Sequence, residues 1–134
     1  MRKEILIELS QFLAEEFPGF HVGRGYRNPA QVLSAKERSR AISVVPASDT
    51  QKRLNMHRKQ ISWKILVIVS VRADTPEEGI DTLVYYLEQV ERKLERTNLS
   101  GLVLDVNVTG SIVNPEISHP FYEAALTVDV LYRR

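Results

Sequence analysis

The stretch ISWKILVIVSV, residues 61–71, decides the fold because its side chains alternate in character along its whole length. Successive side chains of a β-strand point to opposite faces of the sheet. The second face of this segment is polar at its ends and apolar at Leu66 and Ile68. The alternation predicts a long strand with one face in the core and the other half covered. The predicted core face carries only large apolar side chains: Ile61, Trp63, Ile65, Val67, Val69 and Val71.

A helix is predicted directly after this strand, beginning within TPEEG, residues 75–79. Thr75 takes the N-cap position, Pro76 the first helical position, and Glu78 completes a capping box three residues after the cap. Acidic side chains near the positive end of the helix dipole stabilise this start further. An apolar stripe then extends the predicted helix over about residues 76–97.

The N-terminal segment has the periodicity of a second helix. Ile5, Leu9 and Leu13 recur at the spacing of one helical face, and Pro18 stops the pattern. We therefore expect a helix over about residues 2–17.

The remaining patterned segments fit shorter strands. Residues 42–45 form one strand, which Pro46 ends or places at a sheet edge. Residues 102–109 and 124–132 alternate as two further strands, with a loop over 110–121 between them.

The order of these elements predicts an α+β fold. The chain, residues 1–134, fits a single domain in which an antiparallel or mixed sheet packs against two main helices. Between the short strand at residues 42–45 and the long strand at residues 61–71, residues 47–60 are expected to form a long, mobile inter-strand loop.

Catalytic and metal-binding patterns are missing from the sequence. There is no cysteine, which excludes a thiolate metal site or a cysteine nucleophile. His21, His57 and His119 have no second ligand at the spacing of a metal site. The longest apolar run, residues 65–69, is too short to cross a bilayer. We therefore predict a soluble protein that is not an enzyme, has no cofactor and does not bind a membrane.

Charge is distributed unevenly along the chain. Residues 21–64 contain ten Lys/Arg and two acids, whereas the remainder contains eight Lys/Arg and fifteen acids. Such a molecule could associate with copies of itself through its basic and acidic surfaces, and nucleic acid is the other partner that a basic surface suggests.

The most basic segment is SDTQKRLNMHRKQ, residues 48–60. It contains no aromatic side chain on which a base could stack, which disfavours single-strand binding. We interpret it as an arm that becomes ordered against another subunit, and a small nucleic-acid-binding module using residues 24–64 remains the alternative. The candidate contact residues are Lys52, Arg53, Leu54, Met56, Arg58 and Lys59.

Two acids lie on the polar faces of the last two predicted strands. Asp105 and Asp129 could be cross-strand neighbours there. We expect them to be solvated strand residues or part of an acidic surface that complements the basic segment.

The whole pattern resembles the tail-terminator, or tail-completion, proteins of long-tailed bacteriophages and prophages. The resemblance is carried by the N-terminal helix ending at Phe17-Pro18-Gly19 and by ISVVPASD, residues 42–49, before the polar basic segment. It continues through the long strand, the helix that begins at TPEEG, and TVDVLYR, residues 127–133.

The resemblance implies a structural virion protein without enzymatic activity, made in the host bacterial cytoplasm. Such a protein forms a hexameric ring at the head-proximal end of the tail, on the tail tube. The ring stops polymerisation of the major tail tube protein and offers a surface to a head-completion or neck protein. It is compatible with passage of DNA through the ring, without specific nucleic-acid binding. The candidate contact residues of the basic segment would then touch a neighbouring subunit or the tube.

Overall fold

The alternating segment is the central strand of a five-stranded sheet in a computed structural model, which describes residues 1–26, 29, 33, 39–114 and 119–134. The strands lie in the order β1-β2-β3-β5-β4, with β1 and β2 parallel and the other neighbours antiparallel. The elements are α1 (Arg2–Glu16), β1 (His21–Arg24), β2 (Arg40–Arg53), β3 (Lys59–Arg72), α2 (Pro76–Leu94), β4 (Asp105–Val113) and β5 (Phe121–Arg133).

The core lies between one face of this sheet and the two helices. Ile5, Leu9 and Leu13 of α1 are fully buried, and α2 contributes Leu83 and Val90 to the same cluster. The six predicted core residues of β3 are all buried, as are alternate residues of β5. The α+β fold with a mixed sheet and two helices is confirmed. None of the helices in the described ranges has the length and apolar content needed to cross a membrane.

The predicted start of α2 is confirmed, and its end comes slightly earlier than expected. The hydroxyl of Thr75 accepts a hydrogen bond from the backbone N–H of Glu78 at 3.2 Å. The helix ends at Leu94 instead of residue 97. The chain then turns through Leu99, Ser100 and Gly101, which all have positive φ angles and cannot continue a right-handed helix.

The prediction of a long loop over residues 47–60 is wrong. Strand β2 continues to Arg53 and β3 begins at Lys59, and these two residues pair with each other. The register shifts between Pro46 and Asp49. Pro46 has no N–H to donate, and the ladder tolerates it here because it lies at the register shift and beyond residues 41–44, the part of β2 that pairs with β1. The basic segment, residues 48–60, therefore forms the end of the hairpin of β2 and β3. Only residues 54–58 form its turn.

Two smaller features differ from the expectation. A short strand that includes Val22, where no element is predicted above, is present as β1. The predicted loop over 110–121 is shorter than expected, because β4 extends to Val113 and β5 begins at Phe121. Residues 115–118 of that loop lie outside the described residues.

Candidate assembly surface

The hairpin formed by β2 and β3 ends in an ordered turn. The backbone N–H of Leu54 donates to the carbonyl of Arg58 at 3.0 Å. The side-chain oxygen of Asn55 accepts from the backbone N–H groups of His57 and Arg58 at 2.9 and 3.0 Å. Asparagine favours such turns because its short side chain can replace a backbone acceptor. The turn is thus held by local bonds before any partner binds.

Replacing Asn55 with Ala should loosen this turn without unfolding the protein. Two backbone donors lose their acceptor, and each such bond contributes about 0.5–1.5 kcal/mol. We expect faster hydrogen exchange at the amides of His57 and Arg58, with the global free energy of unfolding nearly unchanged. Asn107→Ala, at an exposed position of β4, is the control. Unchanged exchange at His57 and Arg58 would contradict the role of Asn55.

The turn presents apolar side chains to solvent. The side chain of Met56 is 82% exposed and that of Leu54 is 42% exposed. Burying a side chain of this size contributes about 1.5–3 kcal/mol relative to leaving it exposed. A partner that covered Met56 would therefore gain a substantial apolar contact.

Cations surround these apolar residues. Lys52, Arg53 and Arg58 are exposed and Lys59 is half-buried. The end of β5 adds Arg133 and Arg134, because the backbone groups of Arg134 and Lys59 bond each other at 2.9 and 3.1 Å. We call residues 52–59 with Arg133 and Arg134 the basic tip. In the described part of the chain, none of its cations forms an ion pair.

The structure thus brings all six predicted contact residues together and adds two that sequence reasoning missed. Arg133 and Arg134 follow a clear strand pattern, but only the pairing of Arg133 with Gln60 places them beside the turn. Their position depends on β5 lying next to β3, which the order of elements along the chain does not dictate.

A polar cluster anchors the base of the hairpin on the helix side. The guanidinium group of Arg2 donates to the hydroxyl of Tyr132 at 3.1 Å, contacts the carboxylate of Asp49 and lies over the ring of Trp63. A hydrogen bond from the amide of Gln51, together with the charge of Arg2, lowers the pKa of Asp49. The carboxylate therefore stays charged until the pH falls through this lowered pKa, and the anchor persists at neutral pH.

The two predicted surface acids lie on the face of the sheet opposite the helices. Asp129 pairs with Asn107 on one side and Lys64 on the other, while Asp105 pairs with Leu131. The two acids are therefore diagonal neighbours and not directly opposite each other. Because Lys64 lies beside Asp129, this surface is less acidic than the sequence suggests.

The same sheet face carries apolar side chains at its centre. Val45, Leu66 and Ile68 are half-buried there, as the pattern of β3 predicts, and no helix in the described ranges covers them. At one end of this face, Leu33 packs against Ala41 and Phe121. The centre of the face is a second surface that a partner could cover.

Groups of catalytic or metal-binding type are not concentrated on either surface. Among the residues that the structure describes, no three His, Asp or Glu side chains gather closely enough to hold a metal ion. The imidazole Nδ1 of His119, an exposed residue, lies 2.7 Å from the hydroxyl of Tyr122 in β5.

Comparison with known proteins leaves the chain without an assigned family. No protein-family model matches its sequence, and no curated protein matches it.

Proposed function

We propose that this protein is a structural virion protein that forms a hexameric ring on a phage tail tube. The ring ends tube polymerisation and offers the joining surface for a head-completion or neck protein. The observation that carries the proposal is the basic tip, an ordered projection that exposes Met56 among cations that form no ion pair with any residue the structure describes. The resemblance to tail-terminator proteins supplies the kind of assembly. The protein acts by binding and not by catalysis.

The geometry of the tip supports assembly because little order has to be gained on binding. Ordering a flexible segment costs about 1–2 kcal/mol per residue in backbone entropy. Here residues 52, 53 and 59 are already paired in strands, and Asn55 closes the turn. Most of the apolar and electrostatic contact of the tip is then available as binding free energy.

The uneven charge supports association between copies of the chain. A tip that meets a different surface of the next copy makes a heterologous contact, and such contacts close into rings when the rotation per subunit permits. The acidic remainder of the chain supplies surfaces of opposite sign.

Met56→Glu should prevent ring formation while leaving the fold intact. The change buries a charge in the contact, and loss of a central interface residue typically costs about 2 kcal/mol or more, which is about thirtyfold in affinity. Ring formation is measured by sedimentation and negative-stain microscopy, with and without tail tubes of the same phage or prophage. Val84→Glu, at a 43% exposed apolar position on α2, is the matched control.

Two results would overturn the proposed function. One is a wild-type protein that stays monomeric at high concentration and binds no tail tubes. The other is a Met56→Glu variant that forms rings as well as the wild type does.

Nucleic-acid binding through residues 24–64 is the second candidate, and the density of cations at the tip favours it. Against it, Trp63 is buried, and the hydroxyl of Tyr26 donates to Glu123, so neither ring lies at the tip. Changing Lys52, Arg53, Arg58 and Lys59 together to Ser tests this function. Nucleic-acid affinity that falls steeply with salt, and that this variant loses, would support it.

A further inference from the structure

A groove lies on the helix side of the molecule. It has a volume of about 460 Å³ and lies between α1 and the turn that joins α2 to β4. Ile7 and Leu102 give it an apolar lining, and the carboxylates of Glu4 and Glu8 flank them. We call residues 4, 7, 8 and 99–102 the acidic groove.

The wall of the acidic groove is a tightly bonded turn. Leu99, Ser100 and Gly101 all adopt the left-handed conformation, with φ angles of 52°, 60° and 84°. The side-chain oxygen of Asn98 accepts from the N–H of Gly101 at 3.0 Å, and the hydroxyl of Thr97 accepts from the N–H of Leu99 at 3.1 Å. These bonds preform the groove, so a ligand does not have to order it.

The acidic groove complements the basic tip in charge. Glu4 contacts the amino group of Met1 at 2.7 Å, whereas Glu8 has no ion-pair partner in the described part of the chain. Opposite charges across an interface steer encounter and fix register. The apolar lining offers room for one large flexible side chain, and methionine adapts well to such sites.

We infer that the acidic groove receives the basic tip of a second copy of this chain, with Met56 against Ile7 and Leu102. Arg53 and Arg58 then face Glu4 and Glu8. Within its own chain Met56 is 82% exposed, so its side chain does not occupy the groove of the same molecule. The inference rests on the proposed self-assembly and names the surface that the tip meets.

In a ring the contact is heterologous: the tip of each copy enters the groove of the next copy, and its own groove receives the tip of the copy before it. Each copy therefore has one tip to donate and one groove to fill, which allows the contact to repeat around a ring. A single tip contact is small, but ring closure makes the last contact intramolecular and raises the overall affinity.

Disulfide trapping tests the contact directly, since the chain has no cysteine of its own. An isotope-labelled Met56→Cys chain is mixed with an unlabelled Ser100→Cys chain under mild oxidation, and mixed dimers are counted by intact mass. Docking should accelerate mixed-dimer formation on the order of tenfold or more over random collision, through the high effective concentration of the two thiols. The control partner is Asp74→Cys, an exposed position beyond the other end of β3. Equal rates with Ser100→Cys and Asp74→Cys would overturn the inference.

Charge reversal separates this inference from the proposed function. A tip variant with Arg53→Glu and Arg58→Glu, and a groove variant with Glu4→Lys and Glu8→Lys, should each fail to assemble alone. Their mixture should assemble, because each tip then meets a groove of opposite charge. Rings that both variants form normally would overturn the docking inference but leave the ring function standing. If Met56→Cys and Ser100→Cys chains are trapped rapidly but the wild-type protein forms no ring, the docking inference stands and the ring function is overturned.

Discussion

Gly79→Ala should lower the free energy of unfolding by about 1–3 kcal/mol, although alanine is normally the better helix residue by about 1 kcal/mol. Gly79 lies near the start of α2, where the helix crosses β5. A methyl group there would lie 2.8 Å from Cγ of Tyr122 and closer still to Cδ2 and Cε2. The added carbon therefore overlaps the flat face of a buried ring.

The ring of Tyr122 cannot easily move away from the new methyl group. It is 2% exposed, its backbone pairs with Val71, and its hydroxyl lies 2.7 Å from Nδ1 of His119. Either α2 lifts from the sheet or the tyrosine leaves its rotamer, and both cost packing free energy.

Urea unfolding of the Gly79→Ala variant checks this expectation. Gly19→Ala is the control, since no atom lies within 4 Å of a methyl group at that position and the change should stay within about 0.5 kcal/mol. In a Tyr122→Leu background the cost of Gly79→Ala should shrink, because the flat ring face is gone. A Gly79→Ala variant as stable as the wild type would show that α2 does not approach β5 this closely.

This close approach also shows where sequence reasoning ends. The capping signals of TPEEG predict the start of α2, because they act within one helical turn. They do not explain why the fourth residue of the helix, Gly79, is a glycine. That requirement comes from Tyr122, which lies far along the chain and is positioned by a strand pairing.

The strand pairing of residues 50–53 is not predictable from the sequence, for a different physical reason. Residues 50–53 of β2 are exposed on both faces, so they show none of the alternation that reveals a half-buried strand. Their order comes from backbone pairing with β3, and the charged side chains suit an exposed edge. The local sequence pattern therefore indicates a loop, although the backbone pairing of β2 with β3 continues through these residues.

The acidic groove could not be predicted from the sequence at all. Its two walls come from α1 and from the turn after α2, which only the packed helices bring together. By contrast, the basic tip was visible as a charged segment, because its residues are nearly contiguous.

Trp63→Ala should lower the free energy of unfolding by about 3–5 kcal/mol, the usual cost of removing a buried large aromatic side chain. Trp63 is 5% exposed and lies on the core face of β3, paired with Asp49 on β2 and Val130 on β5. Proteins of this size are typically stable by only about 5–15 kcal/mol, so the variant loses a large part of its margin.

Trp63→Ala should also loosen the hairpin that carries the basic tip, because Trp63 supports the base of that hairpin. The guanidinium group of Arg2 lies over its ring, 5.5 Å from the centroid, and also contacts Asp49. Without the ring, Arg2 loses this support, and amide exchange in residues 50–53 should accelerate more than exchange in α2. Trp63→Phe keeps an aromatic face and should lose clearly less stability than Trp63→Ala. If the two variants are equally stable, or if exchange rises uniformly over the protein, then Trp63 does not couple the core to the hairpin that carries the basic tip.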